Sequence, residues 1–182
     1  VIVVVLDGQN VEVATFRSDE EYADGRHPVR VKFSGEEEDA LRRDFTINGM
    51  FYDPVAERII DYVGGGEDIH RGIIRTIGDP FHRFNEDKLR LVRAVRFSAR
   101  YGYHIEEATL QALVALASGI TQVSAERIRE ELIRILTECP ARRGVELLHE
   151  TTLLSHVLPE VAALEGVAQP HEYHPEGDVL TH

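Results

Sequence analysis

Two clusters in this 182-residue chain have the residue types and spacing for chemistry on phosphates. Arg90, Arg93, Arg96 and Arg100 are spaced three, three and four apart. On a helix they fall within an arc of about 120°, opposite Leu91, Val92, Val95 and Ala99. A guanidinium is a permanent charge with a forked set of donors, so such a stripe suits a triphosphate or an RNA backbone. An ordinary solvated basic face has the same pattern. Acids are almost absent between the arginines, so neutralisation at i,i+4 is missing, which favours a polyanion. The second cluster is Arg42-Arg43-Asp44-x-x-x-Asn48. Asp44 and Asn48, four apart, would share a helix face, with Arg43 about a quarter-turn away. Together they could hold a phosphate and a ribose hydroxyl, or be common surface groups. In the tail, His171, His174 and His182 with Glu172 and Asp178 are possible metal ligands or an ordinary polar linker. No metal residue is assigned there.

The whole-chain numbers set limits on these readings. The formal charge is −12, which argues against a general nucleic-acid binder. That average conceals a reversal: residues 71–100 hold eight Lys or Arg and three acids. At 43% hydrophobic and 29% charged, the composition is that of a globular protein, long enough for one full domain or two small ones. No apolar run reaches the roughly 18 residues of a membrane span. The single cysteine, Cys139, excludes an internal disulfide framework and suits a reducing, cytoplasmic setting. The chain opens at Val1, already inside an apolar run, and reads as an internal piece of a longer protein.

The elements that must carry the clusters follow from patterning. Residues 1–6 and 11–16 flank the turn Asp7-Gly8-Gln9-Asn10 and predict a β-hairpin whose first strand is central and covered. Residues 17–33, containing Asp24-Gly25-Arg26-His27-Pro28, read as a loop. Ser34 and Glu37 fit a capping box for a helix running through Met50. Short strands are expected at 59–63 and 73–77. Beyond Gly78-Asp79-Pro80 the pattern is helical: 86–100 with Asn85 as cap, 106–118, 124–137 capped by Ser124, 142–149 and 152–157. The layout is therefore α+β: a mixed region at 1–80, an all-helical region at 83–165 and a tail at 166–182.

Five segments in series resemble the class II tRNA nucleotidyltransferase and bacterial poly(A) polymerase family. Arg42-Arg43-Asp44-x-x-x-Asn48 is similar to its second motif, and Glu86-Asp87-x-x-Arg90 with Arg93 and Arg96 to its nucleotide-selecting motif. Val13-Ala14-Thr15-Phe16-Arg17 resembles the strand before a mobile loop. Asp61-Tyr62-Val63-Gly64-Gly65 resembles the head-to-neck hinge, and Ser124-x-Glu126-Arg127-Ile128-Arg129-x-Glu131-Leu132 the last helical motif.

The resemblance implies a partial polymerase-β-like palm followed by an all-α neck. It implies template-independent addition of C and A, from CTP and ATP, to the 3′ end of tRNA, or of A tails to RNA, with release of pyrophosphate. Arg43 would meet the nucleotide phosphates or sugar, Asp44 and Asn48 the ribose, and Arg93 and Arg96 the triphosphate. Asp87 and Arg90 would read the base. C and A present an amino donor beside a ring acceptor, whereas G and U put a carbonyl against the carboxylate. Glu126 and Arg129 would brace the neck, while residues 18–33 and glycines 64–66 would let head and neck move. Two Mg²⁺ ions would activate the RNA hydroxyl and stabilise pyrophosphate. Their ligands are expected upstream of residue 1, with Glu12 a candidate neighbour of the ions and no catalytic residue within the chain itself. These 182 residues alone should bind nucleotide poorly and catalyse nothing. His174 through His182 look like the entry to a metal-dependent phosphohydrolase domain. A non-catalytic RNA-binding helical module and a downstream phosphohydrolase are the alternatives. No membrane or protein partner is implied.

Overall fold

The computed structural model describes residues 2–22, 28–173, 175 and 177–180, with backbone alone for 18–22 and 28–32. The expectations placed on Val1, Asp24 to His27, His174 and His182 lie outside the described residues. Strands β1 (Ile2–Leu6) and β2 (Gln9–Val13) form the expected antiparallel hairpin. Both are exposed along their whole length, and among the described residues nothing covers β1, contrary to the central position expected of it. The segment read as a loop is a second hairpin, β3 (Arg17–Tyr22) with β4 (Pro28–Phe33). Its signal is the alternation Val29-Arg30-Val31-Lys32-Phe33, which has the period of a strand.

The helix expected through Met50 stops early. Helix α1 spans Glu36–Leu41, with Gly35 at its cap and no capping box: the Ser34 hydroxyl donates to the Gly35 carbonyl instead. A single 3₁₀ turn follows at Thr46–Asn48. Phe45 forms an antiparallel bridge with Thr76, so Thr46 N–H donates to Arg75 O and Ile77 N–H to Asp44 O. Those sheet-like bonds take the backbone groups a continuous helix would have used. Strands β5 (Met50–Asp53) and β6 (Arg58–Asp61) pair antiparallel.

The glycines read as a hinge open helix α2 (Gly65–Arg71), with Gly64 at its cap. The Asp61 carboxylate accepts the N–H groups of Val63, Gly64, Gly65 and Gly66 at 2.9–3.1 Å. Burial raises its pKa, but these four donors outweigh that and hold it below the usual carboxylate value. A Cβ on Gly65 would sit 2.3 Å from the Thr46 carbonyl oxygen, so the helix start is packed against the turn that carries Asn48.

Strand β7 (Ile73–Ile74) leads to helix α3 (Pro80–Glu86), capped by Asp79, whose side chain accepts the His82 N–H, with Pro80 in the first turn. The sequence Asp79-Pro80 is thus a helix start as well as a breaker. Helix α4 (Leu89–Tyr101) is separate: Asp87 is extended, with φ −149° and ψ 106°. Asn85 therefore lies inside α3 and caps nothing. Helix α4 ends at Gly102 in the left-handed region, φ 68°, where a side chain would be strained.

Strand β8 (His104–Ile105) pairs parallel to β7. Helices α5 (Glu107–Leu116), α6 (Ala125–Glu138) and α7 (Ala141–Glu150) follow, then α8 (Leu154–Val157) and α9 (Pro159–Ala162). Ser124 stands at the cap of α6, without the side-chain bond expected of it. The chain is α+β. Ten of the thirteen residues of α4 are buried, making it the central helix, packed on α6 and α7. Leu91, Val92, Ala94 and Val95 share one core with Phe45, Ile74, Phe84 and Leu113. Each such large aliphatic side chain contributes about 1.5–3 kcal/mol. Among the described residues no helix is long and apolar enough to cross a membrane.

Candidate nucleotide-binding cleft

A helix buried on nearly every side cannot present a free arginine stripe, and all four arginines of α4 have carboxylate partners. Arg90 meets Glu86 at 2.5 Å, four residues back across the α3–α4 break. Arg93 donates from Nε and Nη2 to Asp44 Oδ2 at 2.8 and 2.5 Å. Arg96 is only 4% exposed and donates from Nε to Glu131 Oε2 at 2.6 Å, with its guanidinium over the Phe97 ring. Arg100 pairs with Glu138 at 3.0 Å. Two of these acids come from α6, a partner that spacing along α4 does not reveal. The expectation of a solvent-facing stripe is therefore corrected. Arg96 in particular belongs to the α4–α6 interface and is closed off from solvent.

The structure does bring six of the candidates together. Arg43, Asp44, Asn48, Asp87, Arg90 and Arg93 line one open cleft of about 520 Å³ between the 42–48 segment and the start of α4. Arg42, Leu89, Phe97 and Arg127 complete its wall. Asp44 and Asn48 meet as expected, with Nδ2 of Asn48 donating to Asp44 Oδ1 at 3.1 Å. They do so through a 3₁₀ turn and not on one helix face. Asp44 also accepts the Phe45 N–H at 2.9 Å. With the two bonds from Arg93, its roughly four lone-pair sites are all used. Burial raises the Asp44 carboxyl pKa, but Arg93, Asn48 and the Phe45 N–H more than reverse this and hold it below the ordinary value. Burial lowers the pKa of Arg93, and Asp44 and Glu131 raise it above the ordinary value.

Asp87 and Arg90 are not three apart on one helix, because the helix begins after Asp87. Asp87 Oδ1 accepts the Leu89 N–H at 3.1 Å, helping to start α4. Arg127 of α6 grips the same carboxylate, from Nη1 to Oδ1 at 3.3 Å and from Nη2 to Oδ2 at 2.8 Å. One lone pair on Oδ2 is left over by this count. Arg90 gives Nη1 to Glu86 and to the Arg83 carbonyl, and Nη2 to the Arg42 carbonyl at 3.4 Å. Its Nε–H and one Nη2–H have no partner among the described residues. An acceptor and a donor thus face one cleft, which is the minimum set for reading an amino group beside a ring nitrogen.

Glu126 and Arg129, expected to brace the helical region, are exposed. Arg127 and Glu131 of the same helix take that role through Asp87, Arg93 and Arg96. Glu12 lies on the exposed strand β2, opposite Val3. Among the described residues no three His, Cys, Asp or Glu side chains converge as a metal site. In the tail His171 and Glu172 are exposed, and Asp178 accepts the Gly166 N–H at 2.6 Å.

Known proteins resemble this chain over most of its length. A family model described as "Poly A polymerase head domain" matches residues 1–75, and one described as "Probable RNA and SrmB- binding site of polymerase A" matches 102–164. The CCA-adding enzyme of Bacillus pumilus (strain SAFR-032) is 41% identical over 153 residues, covering 84% of this chain and 38% of that protein. The crystal structure of the Bacillus stearothermophilus CCA-adding enzyme in complex with CTP superposes with a TM-score of 0.74 at 41% identity, over 83% of this chain and 36% of that one. The Thermotoga maritima CCA-adding enzyme complexed with tRNA has a TM-score of 0.62 at 30% identity, over 69% of this chain and 31% of that one. The chain thus spans about two fifths of the length of the curated relatives it matches.

Proposed function

This chain belongs to the tRNA nucleotidyltransferase and poly(A) polymerase family, and from that premise we propose that it is the nucleotide-selecting part of an enzyme that adds C and A to the 3′ end of tRNA. Residues 1–80 are then the head portion, 83–165 the neck and 166–182 a linker, in a cytoplasmic protein. The single observation that carries the reading is the convergence of Asp87 and Arg90 with Arg43 and Arg93 on one cleft.

The chemistry follows from what each group has left to offer. The free lone pair of Asp87 accepts the exocyclic amino group of C or A, and Arg90 donates to the adjacent ring nitrogen. G and U would set a carbonyl against the carboxylate, leaving two acceptors facing each other in a partly buried site, which is what makes rejection strong. Arg43, 37% exposed, and Arg93, 29% exposed, supply positive charge for the phosphates. Asp44, already saturated, acts by holding Arg93 and Asn48 and not by touching the ribose; Asn48 remains the group for a sugar hydroxyl.

Divalent ions, which CCA-adding enzymes generally use, find no ligand set among the described residues, and Glu12 is the one carboxylate on its strand. The described residues do not fit such ions, and in this reading the Mg²⁺ ligands come from outside the described residues.

The test is an incorporation assay on the full-length protein, with tRNA lacking its 3′ CCA and each of the four nucleoside triphosphates. Incorporation of C and A with exclusion of G and U is expected. RNA binding without any incorporation would favour the RNA-binding module instead.

A further inference from the structure

We propose that Asp39 is a positioning residue for nucleotide binding: its one buried carboxylate grips both members of the Arg42–Arg43 pair and so fixes the fork of Arg43 at the cleft. The proposal rests on reading the cleft as the nucleotide site. Oδ2 of Asp39 accepts from Nε and Nη2 of Arg43 at 3.2 and 3.1 Å. Oδ1 accepts from Nε and Nη2 of Arg42 at 2.9 and 2.5 Å. The division of labour is one oxygen per guanidinium. Two adjacent arginines repel each other; a shared carboxylate between them removes that repulsion and holds both planes at once.

Arg43 is fixed from two further directions. Its Nη1 donates to the Asn48 carbonyl at 2.9 Å, and its guanidinium carbon lies 4.9 Å from the centre of the Phe51 ring. Of its five N–H groups, three are used and two have no partner among the described residues. Asp39 itself is 2% exposed and is not part of the cleft wall. Any effect it has on a nucleotide is therefore indirect, and the arginines it grips are what reach the cleft. The same carboxylate also accepts the Arg17 N–H at 3.2 Å, while Arg42 Nε donates to the Arg17 carbonyl at 3.0 Å. The first residue of β3 is thereby fastened to the same anchor, so the β3–β4 hairpin and the cleft arginine share one support.

The experiment compares wild type, Asp39→Asn, Arg43→Ala and the double variant in the full-length protein. It measures KM and kcat for CTP and ATP, with thermal unfolding alongside. Asparagine keeps one acceptor oxygen and turns a donor toward one of the two guanidiniums. KM for both nucleotides should rise about tenfold while kcat changes less than about threefold, the pattern of weakened binding and not of lost chemistry. On the Arg43→Ala background the same substitution should add only a small part of that loss, because its main route is gone and Arg42 alone remains. An unchanged KM in folded Asp39→Asn, or a full additional loss in the double variant, overturns the proposal. If Asp39→Asn does not fold, Asp39→Glu, which keeps the charge but displaces it, runs through the same cycle. Failure of both to fold would also overturn it, making Asp39 a structural residue alone. Wild-type protein that incorporates neither nucleotide would overturn the reading of the cleft, and this inference with it; wild-type activity with an unaltered variant overturns this inference only.

Discussion

Arg93 and Arg96 stand less than one turn apart on α4, both paired to carboxylates and both lying over Phe97, yet they serve different ends. Arg96 points between α4 and α6 and is sealed there with Glu131. Arg93, on a neighbouring face, reaches Asp44 across the cleft and keeps 29% of its side chain in solvent. The residue type is the same, and so is the helix. What separates a structural guanidinium from one available to a ligand is which neighbour seals it from water. Glu131 touches both, so one acid joins the interior pair to the cleft wall.

The sharpest way to break the comparison is Glu131→Ala. Removing one member of a buried pair leaves Arg96 charged without a partner, and unfolding free energy should fall by about 3–5 kcal/mol in a denaturant titration. A loss below about 1 kcal/mol would mean that water reaches Arg96 and that the two arginines are less distinct than their burial says.

Asp87→Ala probes the cleft side. It removes the acceptor facing the base, and the ratio of kcat/KM for CTP over UTP should fall by about a hundredfold. Stability should fall by about 1–3 kcal/mol as the Leu89 and Arg127 bonds are lost. A module that grips RNA backbone alone would bind unchanged or more tightly, since a negative charge has gone.

Acid offers a smaller effect and separates the two sides in another way. Asp44 and Asp39 both have carboxyl pKa values below the ordinary value in the folded chain, burial being outweighed in each by arginine and backbone donors. A depressed folded pKa gives stability that is complete above the unfolded value, about 3.9, and is lost as pH falls through the folded one. Stability should therefore decline below about pH 4, and Asp44→Asn should flatten that decline without altering stability's trend at neutral pH. An acid limb with the same slope in the variant would show that other carboxylates govern it.

The smallest effect belongs to Arg100→Ala. This outermost arginine and its partner Glu138 are each 42% exposed. Loss of the pair should cost no more than about 0.5 kcal/mol and leave incorporation untouched.

The residues of the cleft were legible in the sequence because their types and order are local: Arg43, Asp44 and Asn48 within six positions, Asp87, Arg90 and Arg93 within seven. How they are held was not. Arg96 looked available because its acid sits 35 residues away on another helix, and no periodicity along α4 reports that. The break before Leu89 was hidden by a continuous helical pattern; only the capping use of Asp87 by Leu89 N–H marks it. The turn at Thr46–Asn48 replaces a helix because Phe45 and Thr76, far apart in sequence, bridge as strands. By contrast, Asp39 was readable in principle, standing three and four residues before the two arginines it holds.

The glycine-rich opening of α2 has one more consequence. A run of glycines leading into a helix is the sort of backbone on which phosphates settle, with several N–H groups aimed at a single point. Here Asp61 is the tenant: a tethered anion occupies that point at the cost of no ligand, and its local concentration is one that free nucleotide cannot match. The chain thereby cancels a decoy of its own making. The nest at residues 63–66 is filled from within the chain, so an external anion finds no vacant cluster of N–H groups there.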